Sequence, residues 1–304
     1  MGSGLRVKQY ARRFYEGEQA REKKEDEASR VVKTFGKYEA RETEDGGYEL
    51  LKGGEVIGIF SKARVEENRI VFHLSHGVNL EVSGRGVREI FSPERAELCG
   101  LIAADGTVCK YKRTHEVSLK NVDRELIDHF CKLAEETYSI TPHLYSTSHT
   151  TKKGEKREYY RAAVLSKKVA YDLWMFGVKG PGPYEFHPPM EHLDDEGMRA
   201  YLRGFFSGDG NVSLCKDGKH DFRVYSSFKE GLEEIREMFE KLGFHPHKVR
   251  EEDKEVTPEG IRKRFYFSIP EEEHLKFIEE IGTRKAEFKR KFELIKLING
   301  KEDN

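Results

Sequence analysis

Asp105 and Asp209 hold the same place in two copies of one nine-residue pattern. The copies are Leu98-Cys99-Gly100-Leu101-Ile102-Ala103-Ala104-Asp105-Gly106 and Leu202-Arg203-Gly204-Phe205-Phe206-Ser207-Gly208-Asp209-Gly210. The acids lie 104 residues apart, and Val108 with Val212, Pro142 with Pro246 and His143 with His247 keep that offset. Self-similarity held over roughly forty positions means one structural unit used twice. Two carboxylates brought side by side repel, and one stays protonated unless a cation lies between them. A hard divalent ion, Mg²⁺ or Mn²⁺, held by the carboxylates together with water and phosphate oxygens, resolves the conflict. Such a centre suits phosphodiester hydrolysis, because a metal activates water and stabilises both the phosphoryl oxygens and the departing alkoxide. Asp105 and Asp209 are therefore the candidate catalytic and metal-binding pair, with the backbone carbonyls of Ala104 and Gly208 as further candidate ligands.

Each copy reads as the last turns of a helix. Ser92 is a candidate N-cap with Pro93 in the first helical position. Asp194 caps the second helix, followed by Asp195 and Glu196 where the dipole favours acids. Each helix ends at Asp-Gly, where glycine is expected to supply the backbone freedom of a helix exit. Gly100 and Ala104, like Gly204 and Gly208, are four apart and form a stripe of small residues. Two such stripes facing each other allow an approach closer than the usual 8–10 Å between axes and bring the two acids to one end of the pair.

These two stretches resemble the nonapeptide that names the LAGLIDADG homing endonucleases, and the resemblance covers roughly residues 92 to 295. The first copy departs at Ala103 and the second at Ser207, where the family name shows an earlier Asp that is not the metal-binding acid. The resemblance implies an α+β protein: two pseudo-symmetric αββαββα halves whose sheets form a DNA-binding saddle. It also implies a monomer that makes double-strand breaks in DNA with Mg²⁺ or Mn²⁺, the last acid of each motif binding metal. Two-motif relatives carry a Lys after the last helix of the first half. Gly177-Val178-Lys179-Gly180-Pro181 resembles that segment and makes Lys179 the first candidate cation. Gly282-Thr283-Arg284-Lys285 is the corresponding place in the second half and nominates Arg284 or Lys285. Lys120, at the end of a strand, is a further candidate.

On a saddle, sequence is read by side chains that reach base edges, while phosphate contacts set position. The candidates are Lys110, Lys112, Arg161, Lys216, Arg223, Lys248, Arg250, Arg262 and Arg264. They cannot be ranked from sequence, since a one-residue slip in strand register inverts every face. A net charge of −1 argues against a nucleic-acid partner only if charge is evenly spread. Here basic residues concentrate in expected strands and acidic ones in expected helices, at 232–240 and 271–280. Charged residues form 36 % of the chain and Gln occurs only at 9 and 19, a composition like that of thermophile surfaces. Four scattered cysteines without a C-x-x-C pair fit reduced core thiols of a cytoplasmic protein and disfavour a structural zinc site. No run is long and apolar enough for a membrane span, and the charged start from Arg6 excludes a signal peptide.

Organisation follows from texture. Residues 1–34 read as a charged helical segment, and 35–91 as a small β domain of five or six strands. Residues 92–180 form the first half, 181–190 a Pro/Gly-rich linker, and 191–304 the second half. Within the halves, strands are expected at 143–145, 158–165 and 245–251, among others. Two rivals to the nuclease keep the fold without cutting: an RNA maturase, with intron RNA as partner, and a DNA-binding regulator. An intein is disfavoured by Met1 at the start and by the absence of a His-Asn pair at the end.

Overall fold

The structure is a computed structural model that describes residues 30–299, except 112–113, 151–155, 180–183, 216–217 and 258–259. The chain divides into two compact units, the first holding 30–74 and 79–89, the second Ser75–Val78 and everything from Ile90 onward.

The first unit is all β. Eight strands run in sequence: β1 (Arg30–Phe35), β2 (Tyr38–Glu42), β3 (Tyr48–Lys52), β4 (Glu55–Phe60), β5 (Ala63–Val65), β6 (Arg69–His73), β7 (Val78–Ser83) and β8 (Gly86–Phe91). They form two antiparallel four-stranded sheets, β1-β2-β3-β4 and β5-β6-β7-β8. Gly53 and Gly54, both at positive φ (62° and 89°), make the two-residue turn between β3 and β4 that such hairpins need. Ala40, Leu50, Ile70, Phe72 and Val82 fill the core, with Phe60 stacked on Phe72 at 4.4 Å. Eight strands replace the five or six expected. β1 and β2 are rich in Lys, Arg and Glu, which hides their alternation, and β5 has only three residues. Residues 30–34, expected to end a helical segment, are strand; residues 1–29 of that segment lie outside the described residues.

The second unit is α+β and repeats one order twice. The first half contains α1 (Pro93–Asp105), β9 (Gly106–Tyr111), β10 (Thr114–Asn121), α2 (Arg124–Tyr138), β11 (His143–Thr150), β12 (Lys156–Leu165) and α3 (Lys167–Met175). The second contains α4 (Asp195–Asp209), β13 (Gly210–Leu214), β14 (His220–Ser226), α5 (Lys229–Lys241), β15 (Arg250–Thr257), β16 (Gly260–Ile269) and α6 (His274–Glu280), with α7 (Ala286–Asn299) added. Each half is αββαββα, and the sheets share one topology, β11-β12-β10-β9 and β15-β16-β14-β13. The hairpin β11–β12 is longer than expected because Ser146–Thr150 continues in extended pairing with Lys156–Tyr160. Residues 245–249 are not strand, and β15 starts only at Arg250.

Both motif helices start as the sequence predicts. Ser92 Oγ accepts from Arg95 N at 3.3 Å and Asp194 Oδ1 from Gly197 N at 2.8 Å. Arg95, fully buried, donates to Asp172 (2.7 Å) and to the His76 carbonyl (2.6 Å), which fastens α1 to α3. The two sheets bury their inner faces under helices: Val117, Leu119, Ala162 and Val164 in one half, Phe222, Val224, Phe267 and Ile269 in the other.

Candidate active site

The seam between α1 and α4 is set by its glycines. A methyl on Gly100 would lie 2.0 Å from the Tyr201 carbonyl oxygen, and one on Gly204 2.2 Å from that of Glu97. Backbone meets backbone at both crossings, so no side chain fits there. One turn on, a methyl on Gly208 would stand 2.6 Å from Ala104 Cβ and 3.3 Å from Asp105 Cγ. The close approach thus carries the helix ends, and Asp105 and Asp209 line one pocket of about 480 Å³ with Ala104, Gly208 and Lys179. Gly106 and Gly210 differ from expectation: their φ values are −80° and −78°, ordinary extended backbone. Glycine is required there by crowding, since a Cβ would fall 2.5 Å from Ile102 Cα and 2.3 Å from the Phe206 oxygen.

Burial raises the Asp105 pKa, opposed by the Lys285 charge, a hydrogen bond from Asn121 Nδ2 (3.1 Å) and the Lys179 charge. Lys179 is 8 % exposed, and its Nζ donates to the Ala103 carbonyl at 3.0 Å. Burial lowers its pKa, while Asp209 and then Asp105 pull it back up. Both acids therefore act on this one ammonium group. The donor set suits a hard divalent cation, because every candidate ligand is oxygen and the Asp105 carboxylate is desolvated. Among the described residues no group of three His, Cys, Asp or Glu side chains converges. The remaining ligands would then be backbone, water and phosphate oxygens, the usual company of Mg²⁺.

The cation after the last helix of each half behaves differently in the two halves. Gly177 and Gly282, at φ 71° and 68°, make equivalent turns, so Lys179 and Arg284 are counterparts. Arg284 turns away from the acids to Glu97, with Nε at 2.6 Å and Nη2 at 3.0 Å. Glu97 also accepts from His129 (2.8 Å) and Arg203 (3.2 Å), and these partners hold its pKa down at about 2 despite burial. Glu97's own counterpart is Tyr201, whose buried hydroxyl has no partner; Lys179 instead donates to the Ala103 carbonyl and feels the charges of Asp209 and Asp105. Lys285, next to Arg284, is the second-half cation whose charge acts on Asp105. Its segment is pinned: Arg284 N donates to Ser207 Oγ (2.8 Å), and Ala286 N to Asp123 Oδ2 (2.8 Å). Ser207, the departure from the motif name, is an anchor for that segment.

Register places the other candidates. Lys120 pairs with Arg161, and both share the open face of the first sheet with Tyr145 and Tyr159. Lys120 is exposed, 4.9 Å over the Tyr159 ring, and is not among the pocket residues. Arg161 is paired with Glu116. Lys110 pairs with His115, whose ring packs on Tyr171 and Trp174 under the helices, so it belongs to the opposite face. In the second sheet Arg223, Arg250 and Arg264 share the open face with Tyr225 and Tyr266. Lys248 is exposed ahead of β15. Lys112, Lys216 and the side chain of Arg262 lie outside the described residues. Sequence reading missed Asn121, Glu97, Tyr225 and Tyr266. The alternation Asp221-Phe222-Arg223-Val224-Tyr225 carries the signal for Tyr225, once Phe222 and Val224 are assigned to the core.

Two αββαββα halves joined at glycine-packed motif helices, with an acid from each in one pocket, define a pseudo-twofold two-motif protein. A sequence profile of the LAGLIDADG-like domain matches residues 92–173 and 196–282, and the chain belongs to that family. A probable cell division protein WhiA of Ligilactobacillus salivarius is 23 % identical over 171 residues, 55 % of this chain and 52 % of that protein. The chain thus spans about half the length of that relative. Among solved structures, I-DmoI in complex with DNA and Mn is 19 % identical, covering 62 % of this chain and 96 % of that one (TM-score 0.43). The N-terminal LAGLIDADG domain of DUF199/WhiA is 15 % identical, covering 65 % of this chain and 86 % of that one (TM-score 0.44). No helix among the described residues is long and apolar enough to cross a membrane.

Proposed function

We propose that the protein is a site-specific DNA endonuclease that makes double-strand breaks by divalent-metal-dependent phosphodiester hydrolysis, acting as a monomer. The observation that carries this reading is that Asp105, Asp209 and Lys179 line one pocket. A binder has no use for two acids pressed together beside the polyanion it holds. Asp105 and Asp209 would hold Mg²⁺ or Mn²⁺, with the Ala104 and Gly208 carbonyls as further ligands. The ion supplies charge neutralisation at the phosphoryl oxygens and acidifies water.

The chain's own groups do the rest. Asn121 fixes the Asp105 carboxylate through Nδ2, while its Oδ1 accepts from Asp123 N at 3.0 Å. Lys179, desolvated and held on the Ala103 carbonyl, is suited to hand a proton to a departing oxygen. Lys285 brings positive charge to the Asp105 side. The open sheet faces position the duplex, with Lys120, Arg161, Arg223, Arg250 and Arg264 as contacts and Lys248 beside them. Linearisation of a supercoiled plasmid carrying a randomised target region tests this reading, with Asp105→Asn expected to be inactive.

A second reading is supported by the bacterial relatives, which are named as cell division proteins and not as nucleases. On that reading the same saddle binds nucleic acid without cutting, and wild type and Asp105→Asn retain DNA equally with no product.

A further inference from the structure

The pocket beside the acids is larger than a phosphate needs, and away from the acids it is lined by residues of the second sheet together with Tyr184 and Phe186. At about 480 Å³ it is an open, mainly polar recess with room for more than a phosphate. Tyr225 and Arg264 line it together with Ser226, Ser227 and Asn211, continuing from Asp105, Asp209 and Lys179. The Arg264 guanidinium lies 3.9 Å over the Tyr225 ring, and the Tyr266 ring follows at 5.7 Å, with Arg223 5.1 Å over it.

The fold does not impose this wall. Gly106 pairs with Leu119, and Gly210 with Val224, so the residues that follow, Lys120 and Tyr225, are counterparts. Their neighbours across the sheet are Arg161 and Tyr266. The first half therefore has two cations where the second has two aromatic rings.

Two of the arginines on the face of the rings are paired within the sheet, Arg223 with Asp221 at 2.6 Å and Arg264 with Glu252, while Arg250 lies across from Tyr266 on the same face. A backbone-tracking surface needs cations in excess to release counterions from phosphates. Rings and guanidinium planes also suit unpaired bases, which stack on either.

We infer that this pocket takes a single unpaired nucleotide, its base stacked against the Tyr225–Arg264 pair and its phosphate beside Lys179 and the acid pair. The inference rests on the nuclease reading for the phosphate end and on Tyr225, Tyr266 and Arg264 for the base end. The nucleotide is either one carried in a bound single strand or a free mononucleotide; both present the same base and phosphate.

The test uses the full chain in Ca²⁺ and fluorescein-labelled 20-nucleotide DNA, single-stranded and duplex, followed by anisotropy with dAMP as competitor. Tyr225→Ala should weaken single-strand binding about tenfold or more while changing duplex binding less than twofold, and Tyr225→Phe should restore it. Tyr225→Leu keeps the apolar volume without a π face and should behave as Tyr225→Ala, which separates stacking from folding. Competition by dAMP on the wild type assigns the free nucleotide; loss of single-strand binding with Tyr225→Ala but no competition assigns one carried in the strand. Equal loss for both DNA forms, or no loss for either, overturns the inference. Plasmid linearisation by wild type and Asp105→Asn, run alongside, reports on cleavage independently of Tyr225.

Discussion

The two halves of the second unit share a fold and divide their labour. In the first, the second residue after the positive-φ glycine is Lys179, which lines the pocket; in the second it is Arg284, which turns to Glu97. Two exchanges accompany the difference: Lys179 stands for Arg284, and Tyr201 for the Glu97 that Arg284 meets across the seam. A buried carboxylate captures a guanidinium with several strong hydrogen bonds; a phenol does not capture an ammonium group against two acids nearby. Pseudo-symmetry thus preserves the backbone and leaves each half's chemistry to single side chains. The sheets repeat the lesson, with Lys120 and Arg161 opposed to Tyr225 and Tyr266.

The seam itself is the part where the halves must behave alike. Gly100→Ala and Gly204→Ala each force a methyl into a backbone contact at 2.0–2.2 Å. Each should cost about 3 kcal/mol or more, read as a lower urea midpoint. A mild effect at one site only would break the twofold description.

The Glu97 cluster is where they must differ. Its pKa falls from 4.5 unfolded to about 2 folded, so it contributes stability in full above about pH 4.5. That contribution, about 3 kcal/mol, fades as pH drops from 4.5 towards 2. Glu97→Gln should lower the urea midpoint at pH 7 and flatten its dependence on pH over that window. A parallel profile for both proteins would mean that Arg284 is not held there.

Lys179→Met should cut the cleavage rate about 10²-fold with little loss of stability. Arg284→Met should do the reverse, lowering stability and sparing the rate. Swapped outcomes would place Arg284 at the acids. Smallest is Asn121→Ala, which removes one hydrogen bond to Asp105 and should slow cleavage roughly fivefold.

Much of this arrangement is legible in the chain. Motif, duplication and caps lie on single helices, where spacing reports position directly, so the paired acids and the facing small-residue stripes can be read from the sequence. The fold class follows from the same residues. What escapes is set by pairing between distant segments. Asn121 meets Asp105 only through the register of β9 and β10, and Glu97 meets Arg284 only across the seam. Lys110 shows the cost: its charge suits DNA, but the pleat gives it the helix-covered face. β1 and β2 escape for another reason, since polar side chains on both faces erase the alternation.

The most direct measurement is linearisation of a supercoiled, randomised-target plasmid library with Mg²⁺, comparing wild type, Asp105→Asn, Asp209→Asn and the double variant. The expected result is linear product from the wild type and none from the double variant, with each single variant losing cleavage by orders of magnitude. Linear product from the double variant at the wild-type rate would contradict the shared-acid centre.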